Sequence, residues 1–106
     1  MKKRALSVLL FLFITGNLSS FATAETVVFG KAEEVFADPS DVVVQVDAAG
    51  PCGSKYFHIQ RANKNFKELT AVALTAFSLE QGLRLFVASC SGDRNILSHA
   101  GARKIE

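Results

Sequence analysis

Two histidines, two cysteines and one dense polar cluster are the residues of this 106-residue chain that could do chemistry. His58 and His99, if a sheet brings them together with Asp47 or Asp93, would form part of a metal site or an acid–base pair. Two histidines on strands are also what ordinary half-exposed surface positions look like. Cys52 and Cys90 sit in no CxxC, and their spacing from the histidines is not that of zinc ligands. In an oxidising compartment such an even pair reads as a disulfide, worth about 4 kcal/mol of unfolded-chain entropy for a loop of this span. Ser91-Gly92-Asp93-Arg94-Asn95 is the densest polar stretch. Lying beside a disulfide, it is a place where Asp93 and Arg94 could present ligand-binding groups, although a solvated hairpin turn has the same composition. Tyr56, the only tyrosine, could serve a binding face or a cross-strand contact.

Several chemistries lack their residues. Neither Gly50-Pro51-Cys52-Gly53 nor Ser91-Gly92-Asp93 leads into a helix with a following lysine, as a phosphate loop requires. Ser89, Ser91 and Ser98 have no nucleophile elbow around them. Glu33, Glu34 and Asp38 read as a solvated edge and turn. No catalytic residue, metal ligand or cofactor is assigned on these grounds.

The elements that must position these residues follow a signal-like segment. Met1-Lys2-Lys3-Arg4 is a positive start, Ala5 to Ile14 an apolar run, and Ala22-Thr23-Ala24 a peptidase site before Glu25. The run is about half the roughly 20 residues of a spanning helix. Residues 1–24 are therefore expected to be a cleaved signal peptide, and residues 25–106 a single small disulfide-stapled domain in the periplasm or outside the cell. Beyond residue 24, nine basic residues face ten acidic ones, a net charge of −1, and the basic residues are scattered along the sequence. No footprint for nucleic acid or an anionic membrane follows from such a pattern.

Thr26–Gly30 opens a first strand, with Lys31–Phe36 continuing it after a bend at Gly30, and Asp38-Pro39-Ser40-Asp41 is a turn. Val42, Val44 and Val46 alternate with Val43, Gln45 and Asp47, the period of a strand. Tyr56–Arg61 is a third strand, with Phe57 and Ile59 inward against Tyr56, His58 and Gln60 outward, or the reverse near an edge. Asn65 and Glu68 form a capping-box pattern for a helix from Phe66 to about Gln81, stopped by Gly82. Leu83–Ser89 and a weaker segment from Asn95 are the last two strands. The chain is thus mostly β with one helix, in the order β-β-β-α-β-β of a five-stranded OB-like small barrel; an open α+β sheet with one packed helix has the same order.

Tyr56-Phe57-His58-Ile59, Asn65-Phe66-Lys67-Glu68-Leu69, Ala73-Leu74-Thr75-Ala76-Phe77, Gly82-Leu83-Arg84-Leu85 and Cys90 together resemble small exported bacterial proteins with OB-like domains. These include the B subunits of subtilase-type and related AB5 toxins, and periplasmic families of uncharacterised role. The toxin resemblance implies a homo-oligomeric, pentameric, glycan-binding protein without enzymatic activity. No sugar-binding motif matches residue by residue, so the resemblance assigns no binding residue, and fold likeness alone transfers no function. The expectation is a noncatalytic exported binding or assembly domain with a glycan or protein partner. The alternative is a small periplasmic enzyme or metal-handling protein using His58 and His99.

Overall fold

The computed structural model describes residues 25–105, so the signal-peptide expectation lies outside the described residues. Five strands and one helix follow one another as β1 (Thr26–Ala37), β2 (Asp41–Val46), β3 (Tyr56–Gln60), α1 (Phe66–Ser78), β4 (Gly82–Ser91) and β5 (Arg94–Arg103). The strands close into a ring in the order β1-β2-β3-β5-β4, with β4 returning to β1. All contacts are antiparallel except a short parallel pairing of β3 with β5, at Phe57–Asn95 and His58–Ile96. The open-sheet alternative is not what forms.

Alternation fills the interior. Val42, Val44 and Val46 from β2, Phe57 and Ile59 from β3, Leu83, Leu85 and Val87 from β4, and Leu97 from β5 are buried in one core with Val28 and Ala32. Helix α1 adds Leu69, Ala73 and Ala76, spaced along one stripe of the helix. Its two buried alanines are small enough to let the helix axis come close to the sheet. Removing a large side chain from such a core costs about 2–5 kcal/mol.

Strand β1 is unbroken at Gly30. It runs through, pairing with β4 over Thr26–Lys31 and with β2 over Ala32–Ala37, and its irregularity falls between Ala32 and Glu34. Gly30 instead marks a close approach, because a Cβ there would come within 2.9 Å of the Val46 side chain.

Helix α1 starts at Phe66, as the sequence expects, but the contacts at both its ends differ from expectation. Asn65 makes no capping bond; its side-chain amide donates to the Ser98 carbonyl at 3.0 Å, and that of Asn63 donates to the Leu97 carbonyl at 3.1 Å. These two asparagines satisfy β5 carbonyls just beyond the point where its pairing with β3 ends, and that need outweighs the cap. The helix stops at Ser78 rather than Gln81, in a Schellman arrangement: Gln81 N–H donates to Ala76 C=O (2.8 Å) and Glu80 N–H to Phe77 C=O (3.3 Å). Glu80, not Gly82, takes the left-handed conformation, with φ 54°, and Gly82 opens β4. An L side chain in that region costs about 1 kcal/mol or more. Because the Lys31–Glu80 ion pair is exposed and 3.8 Å long, its loss matters little. Glu80→Gly is accordingly expected to raise the free energy of unfolding by up to about 1 kcal/mol in urea titrations.

Candidate functional site

The turn between β1 and β2 is built by one carboxylate. Asp38 Oδ1 accepts from the backbone N–H of Asp41 (2.7 Å), the N–H of Ser40 (2.8 Å) and the Ser40 hydroxyl (3.2 Å). Arg61 Nη2 donates to the Asp38 carbonyl at 2.9 Å, fastening the turn to the end of β3. The backbone donors of Asp41 and Ser40 hold the Asp38 carboxyl below its ordinary pKa, with smaller help from the Ser40 hydroxyl and the charge of His58.

Across the sheet, β4 and β5 meet in a hairpin whose last pair is Ser91–Arg94, leaving Gly92 and Asp93 as the two turn residues. Gly92 supplies the positive φ, 64°, that the first turn position of this hairpin class needs. The Cys52–Cys90 disulfide, with Cα atoms 5.5 Å apart, ties the β2–β3 loop to the end of β4 beside this hairpin.

Asn95 completes the connection, a role that its place in the polar stretch does not reveal. Its side chain is fully buried. Oδ1 accepts from Cys52 N–H (2.9 Å), while Nδ2 donates to the carbonyls of Ser54 (3.0 Å) and Tyr56 (2.9 Å). Gly50 packs so closely on this amide that a Cβ would lie 2.4 Å from Asn95 Oδ1. Ser54 Oγ in turn donates to the Asp93 carbonyl at 2.9 Å.

These connections bring Tyr56, Asp93 and Arg94 into one cavity of about 300 Å³, together with Phe36, Asp38, Val43, Ser54 and His58. The cavity lies on the outer face of β2 and β3, between the β1–β2 turn and the β4–β5 hairpin. Sequence alternation puts Val43 and His58 on this face, where a solvated position is expected. Both are buried, along with Asp41, because they form a recessed floor rather than an exposed surface. Phe36 and Tyr56 remain about 40% exposed beside it, and among the described residues Arg94 has no carboxylate within ion-pair distance.

His58 bonds neither His99, Asp47 nor Asp93, although Asp93 lines the same cavity. Its Nδ1 bonds Asp41 Oδ2 at 3.0 Å, so the carboxylate orients the ring on the cavity floor. His99 stacks on Phe86, ring centroids 3.8 Å apart, and its Nδ1 bonds the Ser98 hydroxyl at 2.9 Å. Asp47 accepts instead from the Lys31 backbone N–H at 2.8 Å. Among the described residues, no three His, Cys, Asp or Glu side chains are grouped as metal ligands. Ser54 and His58 share the cavity, yet the serine hydroxyl is directed to a backbone carbonyl, so the nucleophile–base contact of acyl transfer is not made.

No protein-family model, curated protein or solved structure gives a significant match to this chain. A disulfide and the lack of a membrane-spanning helix among the described residues are compatible with a periplasmic or extracellular protein.

Two measurements test this geometry. Asn95→Leu leaves the Cys52 N–H and two carbonyls without their buried partner and is expected to cost several kcal/mol of stability, while reducing the disulfide costs about 4 kcal/mol. Because the Asp38 pKa is lowered on folding, its stabilising contribution is complete above the ordinary carboxylate range and is lost as the pH falls through the lowered value. In an NMR titration its carboxyl should have a midpoint below that of an unstructured aspartate, and Asp38→Asn should flatten the acid limb of the stability curve.

Proposed function

We propose that this chain is an exported, noncatalytic binding domain whose outer-face cavity takes a glycan. The observation that carries the reading is the convergence of two partly exposed aromatic rings, Phe36 and Tyr56, with the polar groups of Asp93, Arg94 and His58 around one recess of about 300 Å³. Aromatic faces cover the C–H faces of a sugar ring, and fixed donors and acceptors read its hydroxyls. A cavity of that size admits one or two sugar rings rather than a long chain. The disulfide that anchors the site suits an oxidising compartment, which supports export. The commitment of Ser54 to a carbonyl and of His58 Nδ1 to Asp41 supports binding over bond cleavage.

The chain has one tyrosine and no tryptophan, so its intrinsic fluorescence reports directly on this cavity. Protein expressed from the full sequence should give a saturable change in tyrosine emission with a glycan selected on an array. Tyr56→Phe, read by array binding, should retain most of the affinity, whereas Tyr56→Ala and Arg94→Ala should each weaken binding about tenfold. Absence of any glycan binding, or binding indifferent to Tyr56→Ala and Arg94→Ala, would reject the reading and turn attention to a protein partner.

A further inference from the structure

The outer face of the other half of the ring carries a second group of residues that the cavity does not use. In β1, β4 and β5 the inward positions are taken by core residues, so the alternate positions form an outward grid. By register its rows are Val27–Phe86–His99, Phe29–Arg84–Gly101 and Lys31–Gly82–Arg103. Phe29 is half exposed, and two guanidiniums lean on it: Arg84 lies 5.4 Å and Arg103 5.1 Å from the ring centroid. Arg103 reaches that ring from β5, where it is paired with Gly82, while the Ile105 side chain lies over Gly82 itself.

Contact with the Phe29 ring holds both guanidiniums near one another, and a cation over a ring face keeps its N–H groups free to donate elsewhere. Among the described residues neither has a carboxylate within ion-pair distance. The two arginines also line a hollow of about 250 Å³, whose other walls are Phe86, Ala100, Gly101 and Ala102. A Cβ placed on Gly101 would meet no atom within 4 Å, so the hollow is open above that backbone. Its lining contains no acidic residue. The groove on the far side of Phe29 differs, because Asp47 lies in it and Lys31 there is paired with Glu80.

We infer that this hollow is an anion site for a phosphoryl or sulfuryl group, held between the guanidiniums of Arg84 and Arg103 over Gly101. Two guanidiniums lining one hollow offer several N–H donors to the oxygens of such a group, and the volume leaves room for part of the molecule that carries it. The Phe86 ring, backed by His99, offers that carrier an apolar wall.

The test is a titration of ¹⁵N-labelled protein, expressed from the full sequence, with inorganic phosphate and then pyrophosphate. Saturable amide shifts are expected at Arg84, Gly101 and Arg103, weakened by added sodium chloride. Arg84→Gln and Arg103→Gln should each reduce the affinity about tenfold, and Arg94→Gln in the other cavity should leave it unchanged. Gly101→Leu fills the hollow without altering charge, and should abolish binding while the remaining spectrum stays folded. Shifts that fail to saturate, that centre elsewhere, or that persist in Gly101→Leu would overturn the inference. Once phosphate binding is established, a soluble sugar phosphate competing in the same titration assigns the group to a free metabolite-sized ligand. Co-sedimentation with phosphatidylglycerol vesicles, lost in Arg84→Gln, assigns it to a lipid headgroup.

Discussion

The side chain of Asn95 is the constraint on which the closure of the ring depends. A five-stranded ring in this order must bring β3 and β5 together in parallel, and here that pairing spans only two residue pairs. Parallel pairs are slightly less stable per residue than antiparallel ones, so so short a seam needs support. One amide oxygen and two amide hydrogens meet one N–H and two carbonyls of the β2–β3 loop and the start of β3. An aspartate could not donate, and a leucine could do neither. The lack of a side chain at Gly50 lets the loop lie against the amide, and the disulfide limits how far the loop can stray in the unfolded chain. On the other side of the seam, Asn63 and Asn65 continue the task by covering the next carbonyls of β5.

Because the ring's interior is filled by side chains, recognition is confined to its outer surface and to its turns. The Asn95 contacts therefore have a second consequence. They place the Cys52 loop, the Gly92–Asp93 turn and the start of β3 at fixed positions relative to one another, and so define one wall of the cavity that contains Tyr56 and Arg94. The opposite wall depends on Asp38, whose turn is held by backbone donors and by Arg61. Structural support and candidate binding groups are thus adjacent in the chain but distinct: Asn95 is buried while its neighbour Arg94 is exposed.

Much of the fold was legible because the inward alternation is regular. Val42, Val44 and Val46, Phe57 and Ile59, and Leu83, Leu85 and Val87 each share one face of a strand by alternation, and those faces form the core. The disulfide followed from the number and setting of the cysteines. The failures arise where a side chain serves a distant strand. Asn65 looks like a cap until the open carbonyls of β5 are present, and Glu80 carries no mark of a left-handed residue. Asn95 resembles any turn asparagine until the parallel seam gives it three partners. Asp41 looks like no more than a turn residue in the sequence, although it orients His58 from 17 positions away. The scattered basic residues give no sign of a face because Arg84 and Arg103 become neighbours only through the pairing of β4 with β5.

Strand β1 shows how one local irregularity serves both outer faces. In its first half Val28 and Ala32 point inward, and Val27, Phe29 and Lys31 outward. In its second half Val35 packs on the core and Phe36 points out, an odd separation from Ala32 that strict alternation forbids. The irregularity between Ala32 and Glu34 resets the alternation by one residue. Without that reset, keeping the first half in register would turn Val35 to solvent and drive the Phe36 ring into an interior already occupied by Val44 and Phe57. The same strand can therefore present Phe29 to the two arginines at one end and Phe36 to the cavity at the other only because it carries an extra residue between them.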